Sequence, residues 1–471
     1  MKLSSLIFPL IAAVATASFA QTSAPESSAP QHHQAAYKQF KAKLDELASN
    51  NSFDPAPAVI IALNATNDEF CIEEWMAQAA KENNPVALNY VGSKHLFYVP
   101  DNMKRDKKVK EAVALVKKAA DKKYAPAMVD YSTYMRHGVG VIKNTAGADR
   151  LLMEACRSGN FETRFSWLLQ SGRLEKYEDK DRPEVKNEIA RGNHHVLYYL
   201  SGKAPNDFYM LNMLTEAARM GNHSAMYELS THLSRLDIRA SYHYLKAAAA
   251  HHNIMALSTL GEYLISPNKD IAEALGLQQD EAAGVYLLKT AACMGNTTAN
   301  AMLAHLYYNG ICGVEKDIDK AYKHIEAGAS ARPDVGFLAA QGFMLVNGYG
   351  VKKDAAKGLQ LINLAARQKY PHAVAMQAYL HFRGIGVEPN GKEAVFLLES
   401  LATDRRRLDV CFVYIALMYD EGGAGLDKNP QKVEYYMGHA KRALGEYAQQ
   451  VFDQYKNKYN GWHLTPFDIN M

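Results

Sequence analysis

A pair of small residues, followed by a turn and then another alanine, recurs along this chain and makes it a repeat array. The clearest copies read Leu214-Thr-Glu-Ala217-Ala218-Arg-Met-Gly221-Asn222-His-Ser-Ala225 and Leu288-Lys-Thr-Ala291-Ala292-Cys-Met-Gly295-Asn296-Thr-Thr-Ala299, with identical offsets. Equivalent starting positions fall at Met76, Val116, Leu152, Val185, Leu214, Leu245, Leu288, Ile325, Ile362, Leu398 and Met437, spaced by 29 to 43 residues. A unit of this length cannot bury its own apolar face, so each copy must stack on its neighbours. Stacking gathers the exposed area into one continuous surface, which points to recognition rather than chemistry.

Two further signals fix the register. Eight residues before the starting position stands an Asp or Asn at Asp68, Asn144, Asn206, Asp237, Asp280, Asp317, Asp354, Asn390 and Asn429, with Lys108 and Tyr177 as the exceptions. A short side-chain oxygen there can accept from the unpaired N–H groups of a first helical turn. Glycine loops precede five of these caps: Gly138-Val-Gly140, Gly310-Ile-Cys-Gly313, Gly348-Tyr-Gly350, Gly384-Ile-Gly386 and Gly423-Ala-Gly425. Glycine allows the positive φ that ends a helix, and the Val or Leu that follows can tuck beneath the loop. Each unit therefore reads as helix, glycine loop, capped second helix and short turn. Small residues allow close helix crossings, while Leu, Ile, Tyr and Met at helical spacing fill the layers between them.

The stretch from Ala299 through Gly310, Gly313-Val314, Asp317, Ala321, Ile325 and Ala329 resembles the Sel1-like repeat, a relative of the tetratricopeptide repeat. So do Asn347-Gly-Tyr-Gly350-Val351 with Asp354 and Ala365-Ala366, and Arg383-Gly-Ile-Gly386-Val387 with Ala394. The resemblance spans residues 66–445. It implies an all-α, right-handed α-solenoid of stacked helix-turn-helix units, used as an adaptor in bacterial envelope and signalling assemblies. The copies between Val185 and Leu245 are short and lack the Gly-x-Gly loop.

The ends carry different signals. Residues 1–20 have a basic start at Lys2, an apolar run from Leu6 to Ala17 and small residues at Ser18 and Ala20, the pattern of a cleavable secretory signal with Gln21 as the mature N-terminus. A retained signal anchor is the alternative, and no cysteine follows the cleavage site to take a lipid. Residues 21–33 lack apolar mass and read as a flexible linker. From Gln34 the pattern becomes helical: Tyr37, Phe40, Leu44 and Leu47 share a face, giving an N-terminal helical cap over 34–65, with a C-terminal cap or tail over 446–471. Elsewhere no apolar stretch reaches membrane length. The expected location is periplasmic or secreted, with no membrane span after signal cleavage.

The formal charge of +3, with both signs interspersed, gives no electrostatic case for nucleic acid. The basic stretch Lys104-Arg-Asp-Lys-Lys-Val-Lys110 reads as a solvated helix start. Five cysteines, Cys71, Cys156, Cys293, Cys312 and Cys411, form no disulfide framework. A cysteine-rich branch of the resembled family staples each unit with a pair, but here Cys156 faces Thr163-Arg164 where the partner would stand.

No catalytic set emerges. The glycine loops do not continue into Gly-Lys-Ser/Thr and are helix terminators rather than phosphate cradles. The histidine pairs His32-His33, His194-His195 and His251-His252 lack metal-ligand spacing and read as structural or solvated. Ser266-Pro-Asn-Lys269 has neither of the accompanying elements of a serine acyl-enzyme. Asn64-Ala-Thr66 and Asn296-Thr-Thr298 would be glycan acceptors only in a eukaryotic secretory pathway. The reading is therefore a binding protein without cofactor, metal or catalytic residues, whose partners are envelope or secreted proteins, with an envelope enzyme or sensor as the regulated target. The alternative is a cell-wall-directed hydrolase, or a β-lactam or peptidoglycan binder, of the cysteine-rich type. Adjoining aromatics cannot all face one core stripe, which nominates Tyr308 and Phe382 as protein-binding anchors.

Overall fold

The computed structural model describes residues 29–94, 96, 103–266, 269–276, 278–331, 334–403, 409–459 and 464. Among these residues the chain is helical throughout, with one isolated bridge between Gly423 and Leu426 and no named strand. It divides into two compact units, Met1–Ala299 and Asn300–Met471.

Unit 1 opens with α1 (Ala29–Ser49), α2 (Ala56–Thr66), α3 (Cys71–Lys81), α4 (Pro85–Ser93) and α5 (Lys107–Asp121). It continues through α6 (Ala125–His137), α7 (Thr145–Ala155), α8 (Phe161–Gln170), α9 (Pro183–Ala190) and α10 (His194–Ser201). Then come α11 (Asp207–Arg219), α12 (His223–Leu233), α13 (Ile238–Ala250), α14 (Ile254–Ile265), α15 (Lys269–Leu275) and α16 (Glu281–Cys293). The next helix, α17 (Thr297–Asn309), carries the unit boundary. Unit 2 then holds α18 (Ile318–Ala331), α19 (Val335–Asn347), α20 (Ala355–Arg367), α21 (Pro371–Arg383), α22 (Gly391–Thr403), α23 (Cys411–Glu421), α24 (Pro430–Leu444) and α25 (Tyr447–Tyr459).

The caps sit where the repeat places them. Asn144, Asn206, Asp237, Asp280, Asp317, Asp354, Asn390 and Asn429 each accept a backbone N–H from the first turn that follows. Asp68 instead accepts from Phe70 N–H within the turn before α3. At the two exceptions, the cap of α5 is Asp106 rather than Lys108, and Tyr177 opens a short 3₁₀ segment, Tyr177–Asp181.

The first alanine of each pair, at Ala79, Ala119, Ala217, Ala248, Ala291 and Ala365, is buried; the second is buried too at Ala80, Ala120, Ala218 and Ala249 and half-buried at Ala292 and Ala366. Close crossings go further and need glycine. A Cβ on Gly342 in α19 would stand 2.7 Å from the Gly358 carbonyl oxygen in α20, and one on Gly358 only 2.5 Å from the Gly342 oxygen. Helix backbones thus meet where only a hydrogen fits. The core of unit 2 runs between such crossings as Phe343, Ile362, Tyr379, Leu398, Met418 and Leu464, all buried.

The N-terminal cap packs as its spacing requires. Tyr37, Phe40, Leu44 and Leu47 are buried, and the Phe40 ring lies 5.3 Å from Trp75 in α3. One boundary moves: α1 starts at Ala29, so residues 29–33 of the expected flexible linker are helical. Pro30 fits a first helical turn, and His33 meets Trp75 edge-on at 5.1 Å. The signal segment and the rest of the linker lie outside the described residues. The basic stretch opens α5, with Lys107, Lys108 and Lys110 exposed.

Candidate functional site

Asparagines build the short turns of unit 1. Asn84, Asn222, Asn253 and Asn296 precede α4, α12, α14 and α17, and their Oδ1 atoms accept from the N–H of Ala87, Ala225, Ala256 and Ala299 at 2.7–3.0 Å. The amide nitrogens then reach the previous repeat: Asn222 lies 3.0 Å from His194 Nδ1, and Asn253 lies 3.1 Å from His223 Nδ1. Each turn is thereby tied to the last without a glycine loop. Burial pushes the His194 imidazole down to about 4, with neighbouring His195 acting the same way, so the ring stays neutral at pH 7. Asn296 is buried in this role, which removes it as a glycan acceptor.

The N-terminal hairpin crosses these turns. In the loop between α1 and α2, Ser52 O accepts from Tyr124 Oη at 2.6 Å, Asn51 Oδ1 accepts from Ala125 N–H at 2.8 Å, and Asn51 O accepts from Asn160 Nδ2 at 2.7 Å. Asp54 meets His252 Nδ1 at 2.8 Å. A second set of ties reaches α16. Tyr286 Oη donates to Asn64 Oδ1 at 2.8 Å, Lys289 Nζ donates to Asn67 O at 3.0 Å, and Lys289 pairs with Glu69 at 3.2 Å, both side chains of that pair buried. Tyr90 of α4 donates to Cys293 O at 3.1 Å. Unit 1 therefore closes on itself through residues more than two hundred positions apart.

Along the first helices of successive repeats, α4, α6, α8, α10, α12 and α14, runs a row of polar cross-links. Asn89 Nδ2 donates to Asp130 Oδ2 at 3.0 Å, and Gln170 Nε2 donates to Thr133 Oγ1 at 3.1 Å. Glu162 faces His195 at 3.5 Å, whose ring stacks on Phe165. Tyr198 Oη donates to Glu228 Oε1 at 3.1 Å, and Tyr227 Oη meets Thr259 Oγ1 at 3.5 Å. In α6 the buried residues are Ala125, Pro126, Ala127, Met128, Val129 and Ser132, and Asp130 and Thr133 are half-buried beside them. The row is a continuous, partly exposed, hydrogen-bonding surface. Its signal in the sequence is a polar residue at matched positions of the first helices, seen only when those helices are aligned with one another.

Tyr308 and Phe382 lie elsewhere and are both buried, Tyr308 edge-on to Tyr349 and Phe382 under the Arg383 guanidinium. Packing against the adjoining repeat covers both rings, so they present little area as anchors. The exposed large rings are Phe208, Tyr209, Phe396, Tyr435 and Tyr447. The His194-His195 and His251-His252 pairs sit at the asparagine turns, and among the described residues no group of three His, Cys, Asp or Glu is placed to hold a metal ion. Ser266 ends its helix region, while Pro267 and Asn268 lie outside the described residues. Opposite Cys156 stands Thr163, whose carbonyl accepts from the thiol at 3.4 Å; burial pushes this thiol and that of Cys71 up to about 11.

A family profile matches part of the repeat array. The Sel1 repeat family profile matches residues 217–253, 272–296, 297–332, 337–370 and 371–404. Two solved structures are similar to the chain. One is a protective antigen present in uropathogenic Escherichia coli strains and displaying an SLR fold, 18% identical, covering 89% of this chain and 90% of that one at a TM-score of 0.45. The other is a Sel1 repeat protein from Oxalobacter formigenes, 18% identical, covering 70% of this chain and 87% of that one at a TM-score of 0.34. No curated protein matches.

Proposed function

We propose that this chain, a Sel1 repeat protein, is a secreted or periplasmic scaffold that holds protein partners, among them an envelope enzyme or sensor, on the first-helix face of unit 1. Sel1 repeats imply a protein-interaction scaffold, and the observation that carries the finer reading is the unbroken polar row from Asn89 to Thr259. A surface that presents donors and acceptors across six consecutive first helices suits an extended partner, which can bond to one repeat after another. The amino-terminal pattern around Lys2 and Ala20 supports export.

The test removes one step of the row. Deleting residues 223–253 joins Asn222 to Ile254, so the capping asparagine survives while α12 and α13 are lost. In cells carrying the full-length chain, crosslinking should trap a defined exported partner. The deletion variant, still helical by circular dichroism, should trap none. Undiminished trapping would remove this face from the function, and partners confined to the cytoplasm would remove the export reading.

A further inference from the structure

The chemistry of the partner is written in one pair of side chains on that face, and the argument rests on the scaffold reading above. Asn89 on α4 donates its amide nitrogen to Asp130 Oδ2 on α6 at 3.0 Å. That bond fixes the amide's orientation, because turning it over would set a carbonyl oxygen against a carboxylate. Asn89 Oδ1 is left buried with no hydrogen-bond partner among the described residues. Among the same residues Asp130 has Asn89 as its hydrogen-bond partner and no cation within ion-pair distance.

A desolvated carboxylate normally sits beside a cation. Here burial pushes the Asp130 carboxyl up to about 6, with the Asn89 bond pulling the other way. Its charge also raises the phenols of Tyr124 and Tyr134, after their own burial, and Tyr134 stands one helical turn along α6 from Asp130. The pair is therefore two acceptors, one charged, beside aromatic rings and short of a donor. Both residues keep part of their surface open, while Asn89 Oδ1 itself is enclosed. What completes this arrangement is a cation with several N–H groups, whose charge the carboxylate balances and whose apolar stem the rings can cover.

We propose that Asn89 and Asp130 receive a lysine or arginine side chain of an extended partner segment. The same logic recurs further along the row. Glu228 on α12 is held by the neutral Tyr198 hydroxyl and has no cation within ion-pair distance among the described residues. Arg136, the cation on α6, is already occupied by Asp149 and Gln170. The face thus carries uncompensated negative charge, and a basic segment is its complement.

The test uses the full chain and a fluorescein-labelled extended peptide of alternating lysine and glycine, read by anisotropy at low ionic strength beside a serine-glycine peptide. The lysine peptide should bind and the serine peptide should not. Asp130→Asn, which keeps the shape and removes a desolvated charge, should stay folded and weaken binding about tenfold or more. Asn89→Leu should weaken it as well, and Glu178→Gln, at an exposed carboxylate, should leave it unchanged. Equal affinity in Asp130→Asn, or no binding of the lysine peptide to the wild-type chain, overturns the proposal. If Asp130→Asn still traps the partner that the 223–253 deletion loses, the scaffold reading stands and the basic-segment inference falls.

Discussion

Unit 2 and unit 1 are built from the same repeat and braced in different ways. In unit 2 the four glycine loops hold their glycines at positive φ, at Gly310 and Gly313, Gly348 and Gly350, Gly384 and Gly386, and Gly422, Gly423 and Gly425. Its caps are Asp317, Asp354, Asn390 and Asn429, and its core is handed from one helix pair to the next. In unit 1, from α8 to α13, the Gly-x-Gly loop is missing, while asparagine turns at Asn222 and Asn253 tie the other junction, between one repeat and the next. There the N-terminal hairpin supplies bonds to Tyr124, Asn160 and His252 and a buried ion pair to Lys289. The difference teaches that a repeat can lose its local signals where distant polar contacts take over the bracing.

The largest effect should come from breaking the closure of unit 1. Glu69→Gln leaves the Lys289 ammonium buried without its countercharge and should cost about 3–5 kcal/mol in urea denaturation. A loss below about 1 kcal/mol would mean the pair is not desolvated as the geometry requires. Next, Gly342→Ala attacks the unit 2 crossing, where the added Cβ would meet the Gly358 carbonyl; overpacking should cost about 1–3 kcal/mol. A neutral Gly342→Ala would show that these helices can separate at little cost.

Acid should weaken both units through different histidines. His194 in unit 1 and His372 in unit 2 are each pushed down to about 4, His194 first by burial and then by His195, His372 by burial. A folded-state value below the unfolded 6.5 means that the unfolded chain binds the proton more readily. The stabilisation is therefore complete above pH 6.5 and is lost as pH falls towards about 4, by about 1–2 kcal/mol for each group after discounting for partial solvent access. His372→Gln should remove its share of that slope, and an unchanged slope would contradict the assignment. The smallest effect is the one the units share. Asp237→Ala and Asp354→Ala should each lose about 1 kcal/mol through the missing cap, and a marked inequality would show that one unit does not rely on it.

Much of this fold is legible in the sequence because its causes are local. A cap, a glycine loop and a buried alanine each act within a few residues, so Asp317, Gly350 and Ala291 can be assigned from spacing alone. The misplacements have local causes as well: Asp68 bonds within its own turn, and Asp106 caps α5 two residues before Lys108. The closure leaves no such trace. Asn64 with Tyr286 and Glu69 with Lys289 are joined only after thirteen intervening helices have turned the chain back, and nothing near either residue announces its partner. The proposed binding face is illegible for another reason: neighbouring aromatics at Tyr308 and Phe382 suggest a surplus for the surface, but the adjoining repeat covers both. Asn89 and Asp130, which we propose mark that face, lie one register position apart in separate helices.

The central claim, that unit 1 is closed by its N-terminal hairpin rather than braced by neighbours alone, is tested most directly by native-state hydrogen exchange across a range of low denaturant concentrations. The account predicts that the amides of α2 (Ala56–Thr66) and α16 (Glu281–Cys293) exchange through one shared opening, with the same free energy and the same denaturant dependence. If α2 opens at a much lower free energy while α16 keeps its full protection, the two helices are not coupled and the closure is not part of the folded unit.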